Sequence, residues 1–342
     1  MSFSAIVLAA GKGTRMQSDV PKPLHQIRGR SLLAWVVHAL EGVDLASVAM
    51  VVGHGREQVV DALAGEFSRP FLFAEQLTQR GTGDAAAVGL NELDLFDNSF
   101  SEDDHVLIVP GDTPMLTSET IDALVSAHLQ QGAAATLVTA MLDDPTGYGR
   151  ILRSDNGGVA AIVEQRDASA EQQAIREING GMYCFRRSLL GPALRMISTD
   201  NAQGELYLTD AVGVLVEAGH SVQAFQADPI EISGVNDRAQ LGAASMAISA
   251  RIADTHMRNG VTLEQPSSIL IDAEVTIEPD VTIRPSTIIE GSTTIAAGST
   301  IGPGSHLVDA AIGEGAIVRS SVVQGTEVDA GQVIGPFAHL QG

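Results

Sequence analysis

Phe3-Ser4-Ala5-Ile6-Val7-Leu8-Ala9-Ala10-Gly11-Lys12-Gly13-Thr14-Arg15-Met16, followed by Pro21-Lys22-Pro23, is the stretch on which the reading of the chain turns. Its apolar run from Phe3 to Ala10 predicts a buried strand. The strand opens into a glycine-rich loop whose backbone, lacking Cβ atoms, can turn tightly and approach a ligand closely. Loop N–H groups, joined by Lys12, Arg15 and Lys22, suit phosphate oxygens. Of the 20 lysines and arginines only Lys12 and Lys22 are lysines, and both fall here, in a chain of 342 residues with net charge −22. The loop lacks Walker A spacing and matches the dinucleotide fingerprint at two glycines only, with Met16 in the third place. On its own it remains open between a phosphate cradle and a strand-to-helix turn with solvated lysines.

With 44% apolar residues, a chain of 342 can build two domains. No segment approaches the roughly 18 apolar residues of a membrane span, and the N-terminal stretch does not show the pattern of a charged region followed by a cleavable apolar segment. A single cysteine, Cys184, excludes an intrachain disulfide and suits a reducing cytoplasm; in Met182-Tyr183-Cys184-Phe185 it reads as a buried thiol. The acidic balance argues against a nucleic-acid partner, and 4% aromatics offer few stacking platforms.

Strands are expected at 3–10, 48–52, 71–74, 105–109 and 134–140. Helices are expected at 31–40, 57–63, 85–93 and 118–130, giving an α/β order with a largely parallel sheet. Ligands of such sheets bind beyond the carboxyl ends of the strands. The loops 11–15, 76–83 and 111–114 each follow a strand and should meet at one rim. From Thr146 the segments shorten, with strands at 150–153, 159–165, 179–185 and 221–227 and helices near 189–197 and 206–217. These read as an inserted, more antiparallel part covering that rim. Residues 236–258 predict a linking helix ended by Gly260.

The tail keeps another beat. Ile271, Ile277, Ile283, Ile289, Ile295, Ile301 and Leu307 recur every six residues. After one slip the beat resumes through Ile312, Val322 or Val323, Val328, Ile334 and Leu340. Aliphatic hexads separated by Gly, Pro, Thr and Ser predict a parallel β-helix of about four coils. Domains are thus expected at 1–235 and 261–342, joined by the helix within 236–260.

Several residue types suit chemistry at the rim. Asp112 follows a strand and could hold Mg²⁺ against a nucleotide's phosphates. Asn236 could complete that shell through its amide oxygen, or simply cap the helix that follows. Gln76, Gly81 and Thr82 can read a base edge. Glu164, Asn179 and the Gly147-Tyr148-Gly149 turn suit sugar hydroxyls and an amide. Each, taken singly, also has an ordinary structural explanation.

In their order along the chain these motifs resemble the sugar-nucleotide pyrophosphorylases, most closely the bacterial N-acetylglucosamine-1-phosphate uridyltransferases. The resemblance runs through Leu8–Met16, Ser18–Lys22, Ala74-Glu75-Gln76 with Gly81-Thr82-Gly83, and Gly111-Asp112-Thr113-Pro114. It continues through Asp143–Ile151, Ile162–Glu164, Glu177–Gly181, Asn201–Asp210 and Gly234–Arg238, and into the hexads. It implies a Rossmann-like nucleotidyltransferase domain with a mixed sheet, then a short left-handed parallel β-helix. It further implies UDP-N-acetylglucosamine and pyrophosphate as products of UTP and N-acetylglucosamine-1-phosphate, in the cytoplasm, by a homotrimer built on the β-helix. Arg15 and Lys22 would be catalytic. Leu8, Ala9, Ala10, Gly11, Gly13, Thr14, Gln76, Gly81 and Thr82 would hold the nucleotide. Gly149, Glu164, Asn179, Tyr207 and Thr209 would hold the sugar, with Glu205 on the same wall, and Asp112 and Asn236 would bind Mg²⁺. The chain departs from the family pattern at Asp84, where His is usual, at Pro110, and at Gln165-Arg166. The acetyltransferase activity of longer members is expected to be absent, because its catalytic residues would fall beyond Gly342. Another sugar phosphate or dTTP, or a non-catalytic β-helix-bearing subunit, are the competing readings.

Overall fold

Alternate side chains of the first strand serve two separate cores, and this sets the architecture. In the computed structural model β1 (Phe3–Leu8) sends Ala5 and Val7 to one face and Ile6 to the other, all fully buried. A strand buried on both faces needs helices above and below it. The structure describes all residues except Gly65, Glu66, Ser68, Arg69, Asn98 and Asn156. It divides into two compact units, Met1–His25 with Leu32–Arg238, and Gln26–Ser31 with Ala239–Gly342.

The elements follow in order: a hairpin of β2 (Gln26–Ile27) and β3 (Arg30–Ser31), α1 (Leu32–Glu41), β4 (Ser47–Val52), α2 (Arg56–Leu63), β5 (Leu72–Glu75), α3 (Thr82–Phe96), β6 (His105–Pro110), α4 (Ser118–Gln131) and β7 (Ala135–Met141). Then come β8 (Arg150–Arg153), β9 (Val159–Val163), α5 (Ala170–Gln173), β10 (Glu177–Arg186), α6 (Arg187–Met196), α7 (Asp210–Glu217), β11 (Val222–Gln226) and α8 (Arg238–Arg258). In the first unit the sheet order is β11-β7-β10-β6-β1-β4-β5, with β8 and β9 as side branches. One core joins Ala5, Val7, Met50 and Val109 to Leu33, Val36 and Val37 of α1. The other joins Ile6, Val51 and Ile108 to Ala86 and Leu90 of α3 and to α6 and α7.

Two late strands differ from expectation. Segments 179–185 and 221–227 were expected in an inserted part over the rim. Instead β10 lies inside the main sheet, antiparallel to both β6 and β7, and β11 extends its edge parallel to β7. The physical reason is burial: Tyr183, Cys184 and Phe185 are at most 2% exposed and fill both cores. β8 and β9 form the antiparallel branch, joined to the sheet through Ile178 opposite Arg150. One buried polar chain crosses from strand to helix. His128 of α4 lies 3.0 Å from His105 of β6 and 2.8 Å from the Thr136 hydroxyl of β7.

In the second unit, hexad residues stack in three parallel ladders. One runs Ile271, Ile289, Leu307, Val323, Leu340, and another Ile277, Ile295, Ile312, Val328. The third runs Leu263, Ile283, Ile301, Val318, Ile334. The ladders pick Val323 over Val322, and they add Leu263 and Val318, which the six-residue count passes over. Inward hydroxyls are satisfied within the coil, as where Thr293 donates to the Glu290 carbonyl at 2.7 Å. The β2–β3 hairpin belongs to this unit: Arg28 (φ 50°) and Gly29 (φ 79°) form its two-residue turn. The Ala273 N–H donates to the Arg28 carbonyl at 3.0 Å, and Arg30 Nε donates to Glu274 at 2.7 Å.

Candidate active site

The carboxyl ends of β1, β5 and β6 open into one cavity of about 390 Å³. Backbone bonds fix its floor: Ala9 N–H donates to Val51 O and Gly111 N–H to Leu8 O, both at 2.9 Å. Gly13, at φ 60°, lets the next loop pass, because a Cβ there would lie 2.5 Å from the Lys22 Cβ. Met16, 1% exposed, pins the far end of the glycine loop.

Lys22 is the centre of the polar contacts. Its ammonium donates to Asp112 Oδ2 in a short ion pair and to Asn236 Oδ1 at 2.8 Å. The loop carrying Asn236 is tied to Asp112 by a 2.8 Å bond from Val235 N–H to the Asp112 carbonyl. A carboxylate and an amide oxygen therefore converge on one cation. That is a hard-oxygen donor pair, of the kind Mg²⁺ prefers.

On the opposite wall Thr209 donates to Glu164 Oε1 at 3.1 Å, and Asn179 Nδ2 to the Tyr183 hydroxyl at 2.7 Å. Burial pushes the Glu164 carboxyl above the usual carboxylate range, Thr209 pulls it part of the way back, and Asp210 and Asp167 push it further up. The Gly149 carbonyl accepts from Asn179 N–H at 2.9 Å, and a Cβ on Gly149 would lie 3.0 Å from Ile162. Gly81 (φ 113°) starts α3, where a Cβ would meet the Leu206 carbonyl at 2.4 Å. The Thr82 hydroxyl accepts from Leu208 N–H at 3.0 Å, holding the 206–208 turn.

Residues 5–207 match the family model for the MobA-like NTP transferase domain. Across 99% of its length the chain is 42% identical to the bifunctional protein GlmU of Corynebacterium efficiens, covering 70% of that protein. It is 47% identical to the Lactococcus lactis subsp. lactis protein of the same name, over 100% of this chain and 72% of the relative. The chain belongs to the GlmU family.

Of the residues singled out from sequence, this GlmU-family chain brings Leu8, Ala9, Ala10, Gly11, Lys22, Gln76, Gly81, Thr82, Asp112, Glu164, Asn179 and Thr209 to the cavity lining, with Glu205. Asn236 joins through Lys22. Gly13, Thr14, Arg15, Gly149 and Tyr207 lie outside the lining; Arg15 is exposed on a short 3₁₀ turn, Thr14–Met16, and Tyr207 accepts from Gln203 at 2.7 Å. Among the lining residues that the sequence reading did not assign to the site are Gln79 and Tyr183. Gln79 donates from Nε2 to the Ala10 carbonyl, and Tyr183 is 2% exposed behind Asn179. The Gly180-Gly181 pair was the available signal for Tyr183: Gly181 takes φ 73° and β10 shifts register between Asn179 and Tyr183.

Proposed function

We propose that this chain makes UDP-N-acetylglucosamine and pyrophosphate from UTP and N-acetylglucosamine-1-phosphate. The observation that carries the reading is the convergence of Lys22, Asp112 and Asn236 at the mouth of a GlmU-family cavity. A phosphate oxygen of the sugar phosphate attacks the α-phosphorus in line. The bond to the bridging oxygen breaks, and pyrophosphate leaves with its electron pair. Such a transfer needs alignment and charge neutralisation more than a covalent nucleophile.

Asp112 and Asn236 would hold Mg²⁺, which when bound supplies positive charge to the phosphates. Lys22, released from those two oxygens, meets the α-phosphate and its developing charge. The Gly11–Thr14 backbone and Arg15 take the β- and γ-phosphates. Arg15 stands exposed on its 3₁₀ turn, beside that loop. Gln76, Gly81 and Thr82 face uracil, while Glu164, Asn179 and Thr209 hold the sugar, with Gly149 and Tyr207 supporting that wall from behind. The reading extends to a cytoplasmic homotrimer assembled through the β-helix unit.

Pyrophosphate release with Mg²⁺ tests the reaction, across UTP and dTTP and a panel of sugar phosphates. UTP with N-acetylglucosamine-1-phosphate should give the fastest release. No release above a blank without sugar phosphate would sink the reading.

A further inference from the structure

Gln76 carries more information than its place in the cavity wall. Its backbone N–H donates to the Val52 carbonyl at 2.8 Å, and the residue is 5% exposed, so the side chain is held from both ends. Its Nε2 donates to the Gly81 carbonyl at 3.2 Å and to Asp84 Oδ2 at 2.8 Å. Asp84 is in turn paired with Arg80 through its other oxygen, at 2.9 Å. A peptide carbonyl and a paired carboxylate can only accept. Reversing the amide would set Oε1 against two acceptors and strand both, a costly arrangement in a nearly buried site. Both amide protons are thus committed. Among the described residues none donates to Oε1, so an acceptor is what Gln76 offers the cavity.

We propose that Asp84 is a positioning residue for base choice, locking the Gln76 amide so that the site accepts a base with a ring N–H between two carbonyls. Uracil and thymine carry that imide donor at N3. Cytosine presents a bare ring nitrogen there and meets Gln76 acceptor to acceptor. Polar mismatches of this kind discriminate far more strongly than a missing methylene does. The inference rests on the uridylyl-transfer reading and adds the means by which the pyrimidine is chosen.

Asp84→Asn tests it, since an amide at that position can donate as well as accept and so tolerates a reversed Gln76. The readout is the ratio of kcat/KM for UTP over CTP with N-acetylglucosamine-1-phosphate, with melting curves to show that the variant is folded. The ratio should fall by about tenfold or more, through loss with UTP and gain with CTP. Arg80→Gln removes the ion pair but leaves an acceptor at Asp84, and should keep the wild-type ratio. A merely structural or electrostatic role for Asp84 would slow both nucleotides equally and leave the ratio unchanged; that result overturns the proposal. So does a wild-type chain that uses CTP as well as UTP. A wild-type chain that turns over neither removes the uridylyl reading first.

Discussion

Lys22 Nζ lies 2.8 Å from Asn236 Oδ1, closing a separation of 214 positions in sequence. The same ammonium meets Asp112, so one side chain holds together the two oxygens assigned above to a divalent cation. The first prediction concerns this arrangement. Lys22→Met should cut kcat by about 10²- to 10³-fold in pyrophosphate release, the range seen when one positioned charge-stabilising donor is lost. Binding of Mn²⁺ to the free chain, followed by its paramagnetic signal, should tighten at the same time because the competing cation is gone. Lys12→Met deletes an equal charge and should not reproduce that tightening. Equal gains in both variants would reduce Lys22 to a general electrostatic effect.

Gly89 sits where α3 crosses the sheet. A Cβ there would fall 2.5 Å from Ile6 Cγ2 and 2.8 Å from Val51 Cγ2. Alanine favours helix by about 1 kcal/mol over glycine, yet forcing a methyl into a packed core costs about 1–3 kcal/mol. Gly89→Ala should therefore lower stability by up to about 2 kcal/mol, read from the urea midpoint. A stabilised variant would mean that the helix can lift from the sheet without penalty.

His128 makes stability depend on pH in a definite direction. Burial first, then His105 and Arg186, push its pKa from 6.5 down to about 4. The unfolded chain takes up the proton near 6.5, while the folded chain does so only near 4. Between those values unfolding binds protons, so folding weakens as pH falls and levels off below about 4. The full effect is of the order of 3 kcal/mol. His128→Gln should show a smaller drop in urea midpoint between pH 7.5 and 5 than the wild-type chain. Equal drops would assign the acid sensitivity to other groups.

Ile289 is fully buried in the middle of its ladder, between Ile271 and Leu307. Ile289→Ala should cost about 2–5 kcal/mol. Coils of a solenoid hold only their neighbours, so the loss should be local to that stack. Limited proteolysis followed by mass spectrometry should place new early cuts within 270–308. Early cuts spread evenly along the chain would contradict it.

The parts of the fold that repeat were the parts legible in sequence. Unbroken apolar runs marked β1 and β4, which are buried on both faces, and aliphatic hexads marked the ladders down to individual residues such as Ile283 and Ile301. Counting passed over Val318 and left Val322 and Val323 open, because coil length in those ladders shortens from 18 residues to 17 and 16. The place of β10 was not legible: strand pairing is a long-range choice, and Asn179–Phe185 reads the same in a side branch as in the sheet centre. At the site, Asp112, Gln76 and Glu164, picked out by motif order, all reach the lining of one cavity. Side-chain partners such as Asp84 on Gln76 depend on geometry that no spacing encodes.

The β2–β3 hairpin has a consequence on the clock of synthesis. Arg30 and its partner Glu274 are 244 positions apart. At about 5–20 residues per second, a ribosome makes the second roughly 10–50 seconds after the first. Until then the turn at Arg28-Gly29 waits for a coil that has not been translated, while the strands on both sides of it already have the means to pair. Nascent chains stalled before residue 262 should be cut by protease at 26–31, and chains released at full length should resist there. Protection of the hairpin in the stalled chains would show that it needs no coil. The newest residues thus decide when one of the oldest segments is finished.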